Sequence, residues 1–310
     1  SSGTAGDVET RVTGAEVLAL PRLEAIELDG EALKVVATTS VIGDVVAQVG
    51  GDAIELETLI GPGQDAHSYE PAARDLTAVA EADVIFMNGW GLEEGLAEDL
   101  ESIGADVPVV PISAGITPRP SADEHGDHDH GNVDAHVWFS IDNVSMWAEN
   151  VRDVLSELDA GNAESYTRNA AAYRSELLVL QAYAKAAMGA IPEENRFIVT
   201  NHDAFNYLAD AYGLTIVGTV IPATSTLAEP SASDLAALIA QMEEHGICTI
   251  FTETGAGDTL AQTVAGELTA CDEVKVVPLY TGSLGATGSG AESYVGMMRA
   301  NVEAIVEGLR

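Results

Sequence analysis

The stretch from Leu33 to His67, LKVVATTSVIGDVVAQVGGDAIELETLIGPGQDAH, decides the fold. It begins with a valine-rich apolar run that ends in small polar residues, a pattern typical of a strand. The next segment has apolar residues at helical spacing and stops at Gly50 and Gly51, because glycine readily ends a helix. A second apolar run, AIELETLI, precedes the loop GPGQDAH. Strand, helix and strand in this order predict a parallel β-α-β unit.

The same alternation of strands and helices fills most of the chain. Further strands are predicted at ADVIFMN, VPVVPIS, FIVTN, LTIVGTVIP, ICTIFTE and VKVVPLY. Between the two groups, a helical period runs unbroken for roughly 40 Å at 1.5 Å per residue. We therefore predict an α/β protein with two lobes, each a mostly parallel sheet flanked by helices, joined by a long rigid linking helix. The predicted parts are a poorly ordered N-terminal tether (1–32), an N-terminal lobe (33–160), the linking helix (161–191) and a C-terminal lobe (192–310).

Composition narrows the class of partner. The formal net charge of −37 comes from 50 acidic and 13 basic residues spread over 310 positions. Such a surface repels nucleic acid and anionic membranes, so no nucleic-acid partner is expected. A chain of this length is too long for one ordinary hydrophobic core and fits two domains of usual size. No apolar run reaches the roughly 20 residues that a membrane-spanning helix needs.

The two cysteines, Cys248 and Cys271, flank one predicted helix, and each lies beside a predicted strand. This arrangement suits a single disulfide in an oxidising compartment. Two buried reduced thiols are the open alternative, because sequence does not show the distance between them.

Three histidines lie far apart in the chain, each beyond a strand or at the entry to a helix. His67 is in GPGQDAH, His136 in NVDAHVWFS and His202 in VTNHDAF. In open α/β sheets, ligands collect outside the carboxyl ends of the strands. A single histidine is more often an ordinary surface or core residue, but three at such positions favour a shared metal ion between the lobes, since imidazole binds zinc and related metals.

The order and spacing of six segments resemble the zinc/manganese receptor family of bacterial ABC importers, over about residues 33–309. These segments are LKVVATTSVIGDVVAQVGGD, LIGPGQDAHSYEPAARD, ADVIFMNGWGLE, DAHVWFS, TNHDAFNYLADAYGL and GSGAESYVGMM. The resemblance implies that His67, His136 and His202 are metal ligands. Histidine at the third position looks like the zinc-type members, so Zn²⁺ is expected ahead of Mn²⁺, which prefers oxygen donors.

The resemblance also leaves one ligand position open. Where the family usually has an aspartate, this chain reads LYTGSLG, with Gly282 in its place. Zinc takes four donors, so water or Glu253, at the end of ICTIFTE, is the candidate fourth ligand. A shifted backbone or a weakened site is the remaining alternative. The alternative role of Glu253 is to fix the following loop through hydrogen bonds. Asp134, two residues before His136, is predicted to orient that imidazole.

The segment PRPSADEHGDHDHG resembles the histidine-rich insertion of zinc-type members. His125, His128 and His130 are therefore candidates for recruiting metal to the cleft. The alternative is an acidic surface loop that happens to contain histidine.

The predicted function is capture of Zn²⁺, with Mn²⁺ as the less expected cargo, and delivery to the membrane permease of an ABC importer. The protein is expected to be an extracytoplasmic monomer, either periplasmic or lipid-anchored, and not an enzyme. One alternative is a zinc hydrolase with an open fourth coordination position, but no HExxH or comparable cluster supplies a general base. A second alternative is an adhesin with a structural metal.

Overall fold

The structure is a computed structural model that describes residues 16–96, 100, 107–121, 133–255 and 257–310. Within these residues, eight strands form two four-stranded sheets with the orders β2-β1-β3-β4 and β6-β5-β7-β8. All the paired strands in both sheets are parallel. The strands are β1 (Leu33–Thr39), β2 (Ile54–Ile60), β3 (Val84–Met87), β4 (Val109–Pro111), β5 (Phe197–Thr200), β6 (Thr215–Thr219), β7 (Thr249–Glu253) and β8 (Lys275–Leu279).

Helices flank both sheets. They are α1 (Ser40–Gly50), α2 (Ala73–Glu81), α3 (Ile141–Leu158), α4 (Ala163–Gly189), α5 (Asn206–Tyr212), α6 (Ala232–His245), α7 (Thr259–Glu267) and α8 (Tyr294–Gly308). Helices between parallel strands are what the alternating pattern predicts, because a parallel crossover needs a long connection. None of the described helices has both the length and the apolar character needed to cross a bilayer.

The first β-α-β unit forms as the opening stretch predicts. Strand β1 lies in the middle of its sheet and is buried at all but one of its positions. The side chain of Thr39 accepts a hydrogen bond from the backbone N–H of Ile42 at 3.3 Å, so it caps the start of α1. The helix stops where Gly51 adopts a φ of 55°, a conformation that glycine reaches without steric cost.

The long helix α4 joins the two lobes. It has 27 residues and packs against α1 and α3 of the first half of the chain and against α5 and α8 of the second half. Its buried residues Tyr173, Leu177 and Leu180 belong to the larger hydrophobic core, which draws side chains from both halves of the chain. The predicted architecture of two parallel sheets joined by a long helix is confirmed. The domain boundaries given above stay a prediction.

The second sheet has its own smaller core on the side of α6 and α7. It is built from nine buried residues, which are Val199, Val220, Leu238, Met242, Ile247, Ile250, Ala261, Val264 and Leu268. Helix α6 begins with a reciprocal cap between Ser231 and Asp234 and ends at His245, after which Gly246 adopts a φ of 66°.

The described half of the predicted tether packs against the first lobe. The backbone N–H of Ile26 donates to the carbonyl of Leu158 at 2.9 Å, and that of Gly115 donates to the carbonyl of Leu18 at 2.9 Å. Four apolar side chains of this segment lie on the larger core, namely Leu20, Leu23, Ile26 and Leu28. Residues 16–32 are therefore held by apolar burial instead of standing free. Residues 1–15 lie outside the described residues.

Candidate metal centre

His67 lies in the loop that follows β2. The carboxylate of Asp65 accepts hydrogen bonds from the backbone N–H of His67 at 3.0 Å and from the hydroxyl of Ser68 at 3.2 Å. An aspartate that bonds the backbone two residues ahead closes a tight local turn. The turn holds the ring of His67 in a buried position, where only 6% of the residue is exposed.

His136 lies three residues after Val133, which forms an isolated antiparallel β-bridge with Pro120 in the first lobe. One oxygen of Asp134, Oδ1, accepts from both the backbone N–H and the ring Nδ1 of His136, each at 2.9 Å. The two residues are 0% and 1% exposed, so this pair is fully removed from water. The ring of Trp138 packs edge-on against the imidazole, with centroids 5.2 Å apart.

His202 follows β5, and Glu253 ends the neighbouring strand β7. Thr200 and Phe251 are paired across these parallel strands, so residues two positions beyond each lie at the same edge of the sheet. Glu253 contacts the Nδ1 atom of His202 through its Oε1 oxygen. Only 1% of the His202 side chain and 7% of the Glu253 side chain are exposed.

The structure brings these three remote histidines together. The Nε2 atom of His136 lies 3.3 Å from Nε2 of His67 and 3.1 Å from Nε2 of His202. When three nitrogens bind the same zinc ion at about 2.0–2.1 Å with tetrahedral angles, they lie about 3.3 Å from one another. The observed spacing therefore lets one ion contact all three Nε2 atoms. Among the described residues, His67, His136 and His202 form the group whose potential ligand atoms all lie within 4.8 Å of one another.

Each of the three rings also has a carboxylate on its other nitrogen. Glu94 lies 3.3 Å from Nδ1 of His67, and the partners of His136 and His202 are Asp134 and Glu253. An ionised carboxylate only accepts, so each Nδ1 is the donor in its pair, and each Nε2 offers its lone pair to a metal when it carries no hydrogen. Carboxylates behind metal-binding histidines fix ring orientation and raise basicity.

Sequence reasoning missed Glu94. It lies beyond β3, at the same edge of the first sheet as the loop after β2. The strand-end argument that placed His67 therefore applies to GLEEGL as well. The acidic pair in that segment was the available signal.

The contact of Glu253 bears on its predicted role as fourth ligand. Its Oε1 atom engages Nδ1, which is on the side of the ring away from the converging Nε2 atoms. This contact favours an orienting role for Glu253 over a role as ligand.

Gly282 lies between two contacts that join the second lobe to the histidine-bearing segments. The carbonyl of Thr281 accepts from Nε1 of Trp138 at 2.9 Å, and the hydroxyl of Ser283 accepts from the backbone N–H of Gly63 at 3.0 Å. A Cβ atom added at Gly282 would meet nothing within 4 Å. This position, where the family has its aspartate, therefore has space for a side chain.

The two predicted cysteines form a disulfide. The Cα atoms of Cys248 and Cys271 are 5.8 Å apart. His125, His128 and His130 lie outside the described residues, so their recruiting role stays a prediction.

The site gives its histidines different proton affinities. Burial and then the charges of His202 and His67 hold the pKa of His136 well below its ordinary value. For His202, burial is the largest influence and opposes the charged form, but the adjacent Glu253 carboxylate outweighs it and raises the pKa. Burial also opposes the charged form of Glu253 and so raises its pKa. The contact with His202 outweighs burial, and the pKa of Glu253 is lowered. The pKa of Asp134 is raised to about 6, chiefly by burial.

These pKa shifts predict that metal binding releases a proton from His202. At pH 6.5, the ordinary histidine pKa, the raised pKa leaves His202 more than half protonated without metal, whereas His136 is neutral. A metal needs the Nε2 lone pair, so binding displaces that proton. The number released should fall, and affinity should rise, as pH increases through the raised pKa. Titration calorimetry at pH 6.5 in buffers of different ionisation enthalpy measures the number.

Glu253→Gln provides the control for this prediction. It removes the negative charge that raises the pKa of His202 and keeps the side-chain shape. Fewer protons should then be released at pH 6.5. Release equal to that of the unmodified protein would contradict the assignment of the proton to His202.

Known proteins are similar to this chain over most of its length. The family model described as zinc-uptake complex component A, periplasmic, matches residues 35–308. The chain is 35% identical over 281 residues to the manganese-binding lipoprotein MntA of Halalkalibacterium halodurans, covering 91% of this chain and 90% of that protein. It is 33% identical over 275 residues to the iron-binding protein YfeA of Yersinia pestis, covering 89% and 86%. Its fold is similar to the periplasmic zinc binding protein TroA from Treponema pallidum, with a TM-score of 0.81 and 30% identity over 90% of this chain and 99% of that chain.

Proposed function

The chain belongs to the periplasmic zinc-uptake component A family, the extracytoplasmic metal-binding receptors of ABC importers, and from that premise we propose that it captures Zn²⁺ on His67, His136 and His202. The observation that carries the proposal is the convergence of the three Nε2 atoms. A carboxylate contacts the other nitrogen of each ring and orients it. The ion is cargo, held between the lobes and passed to a membrane permease.

The donor set supports zinc ahead of manganese. Three imidazole nitrogens suit zinc and the later transition metals, whereas manganese prefers oxygen. The carboxylates Glu94, Asp134 and Glu253 each contact an Nδ1 atom, so they contribute charge behind the rings. Water completes the four donors of zinc in this proposal, since Gly282 offers no side chain.

Manganese is the second candidate, and the names of relatives favour it. MntA is named as manganese-binding and YfeA as iron-binding, while TroA, the structural neighbour, is named as zinc-binding. Metal choice thus differs among similar chains, and the donor set of this chain is the argument for zinc.

The two other functions raised by the sequence gain no support. The family consists of substrate-binding receptors and not of enzymes, so it gives no support for a hydrolase that uses an open fourth coordination position. Nothing in the comparisons favours an adhesin with a structural metal. We propose a monomer, because one chain supplies all three histidines and their carboxylates.

Metal preference tests the proposal. The unmodified protein should bind Zn²⁺ more tightly than Mn²⁺ by at least about tenfold, or about 1.4 kcal/mol. Gly282→Asp, which adds an oxygen donor, should strengthen binding of both ions and narrow the difference between them. Competition titrations against a chelator of known affinity measure both constants.

Gly266→Asp is the matched control, because Gly266 is exposed in α7 and a Cβ there also meets nothing within 4 Å. It adds the same charge without an oxygen near the histidines and should leave both affinities unchanged. Tighter binding of Mn²⁺ than of Zn²⁺ by the unmodified protein would reject zinc as the cargo. Identical affinities for Gly282→Asp and the unmodified protein would reject water as the fourth donor.

A further inference from the structure

Asn206, the first residue of α5, bridges two buried carboxylates from opposite sides of the cleft. Its Nδ2 donates to Oδ2 of Asp134 at 3.2 Å and to Oδ1 of Asp203 at 2.7 Å. Asp134 belongs to the first lobe and Asp203 to the second, and they are 0% and 7% exposed. A side-chain amide has two N–H donors, so one nitrogen can serve both acceptors. The neutral amide thus lies between two buried carboxyl groups, in surroundings where low dielectric strengthens electrostatic interactions.

At one side the bridge ends on the carboxylate that orients a candidate metal ligand, and at the other side it ends on a residue adjacent in the chain to another candidate ligand. The second oxygen of Asp134, Oδ1, holds both the backbone and the Nδ1 atom of His136. Asp203 directly follows His202 in the chain. A single side chain therefore connects the orienting carboxylate of His136 to the segment that carries His202.

Arg119 of the first lobe holds the same turn of α5 in place. Its Nη1 donates to the carbonyl of Asn206 at 3.4 Å and forms an ion pair with Asp210, one turn further along α5. Its backbone N–H donates to the hydroxyl of Tyr207 at 3.0 Å. The carbonyl of Arg119 also accepts from the backbone N–H of Asp134 at 2.9 Å. Arg119 and Asp134 are therefore joined through a backbone hydrogen bond, and Asn206 contacts both residues.

We infer that Asn206 is a positioning residue that couples contact between the lobes to the hold on the metal. While α5 lies against the first lobe, Asn206 keeps Asp134 in place and Asp134 keeps the imidazole of His136 directed at the ion. When α5 moves away, Asp134 loses this restraint and His136 is free to turn. Loosening of one ligand then accompanies opening of the cleft, which favours release to the permease. The inference rests on the proposed function and adds to it the residue that sets the release rate.

Two substitutions test it, each loaded with Zn²⁺ at pH 7.5. Asn206→Ala removes both donors and should speed release of Zn²⁺ to a chromogenic chelator about tenfold, in line with other changes to groups behind metal ligands. Asn206→Asp keeps the shape but places a third negative charge between Asp134 and Asp203, so release should be faster still. The visible d–d absorption of the Co²⁺-loaded protein should shift in both variants, because the geometry at His136 changes.

Asn169→Ala is the matched control. Asn169 is a partly buried asparagine of α4 whose Nδ2 donates to the carbonyl of Val49 at 3.0 Å, away from the histidines. This variant loses a comparable hydrogen bond and should keep the release rate within about twofold and the Co²⁺ spectrum unchanged.

The outcomes separate the two proposals. If the unmodified protein binds Zn²⁺ and both Asn206 variants release it at the unmodified rate with an unchanged Co²⁺ spectrum, the role of Asn206 is wrong and the proposed function stands. If the unmodified protein binds no Zn²⁺, the proposed function fails and the inference fails with it. A lower melting temperature of the metal-free Asn206 variants with unchanged release would reduce Asn206 to a structural residue and also overturn the inference. Should Asn206→Ala not fold, Asn206→Asp decides alone.

Discussion

Replacing His202 with alanine is expected to weaken Zn²⁺ binding by at least about tenfold, which corresponds to about 1.4 kcal/mol. The change removes one of three converging nitrogens and takes the partner from Glu253, whose side chain is 7% exposed. Burial raises the pKa of Glu253 and the imidazole outweighs this effect, so the substitution also removes the contact that favours the charged carboxylate. Competition with a chelator of known affinity, or calorimetry, measures the loss.

His245→Ala is the control for this substitution. His245 ends α6 and stacks on Phe197, with ring centroids 5.4 Å apart and planes at 27°. The variant removes an imidazole that is not part of the cluster and should bind Zn²⁺ as the unmodified protein does. Unchanged affinity in His202→Ala would remove His202 from the ligand set and with it the metal centre described above.

Replacing both cysteines with serine is expected to lower the free energy of unfolding by about 3 kcal/mol. The disulfide between Cys248 and Cys271 spans 23 positions, and closing a loop of this length restricts the unfolded chain by about that amount. The closed loop contains β7 and α7, which lie over the smaller of the two cores, so the second lobe has less apolar burial to compensate. Denaturant unfolding followed by far-UV circular dichroism measures the change.

Reducing agent provides the matched comparison. The unmodified protein in dithiothreitol should unfold at the same denaturant concentration as the Cys248→Ser, Cys271→Ser double variant, and the double variant should not respond to the reagent. Zn²⁺ affinity should be close to that of the unmodified protein, because the disulfide shares no residue with the histidine cluster. Equal stability of the oxidised protein and the double variant would show that the disulfide adds nothing to the fold.

Local sequence patterns predicted much of the fold. The apolar runs and the glycines after α1 indicated a β-α-β unit, and the unbroken helical period indicated α4. These signals are short-range, because turn chemistry and apolar spacing act over a few residues. For the same reason, the pairing of Asp134 with His136 could be predicted from residues two positions apart.

The contacts between distant residues could not be predicted in this way. Glu253 was expected at the cleft, but only the parallel pairing of β5 with β7 places it on Nδ1 of His202, 51 positions away. Glu94 reaches His67 across 27 positions, and Asn206 reaches Asp134 across 72.

The sequence by itself therefore determined which elements form, in which order, and that three histidines follow strands or enter helices at the same edge of an α/β scaffold. Only the tertiary structure decided which carboxylate lies behind each ring and which amide spans the cleft. The physical reason is that strand order and docking of the two lobes set these distances, and both result from burial of apolar surface over the whole chain, which no local pattern records.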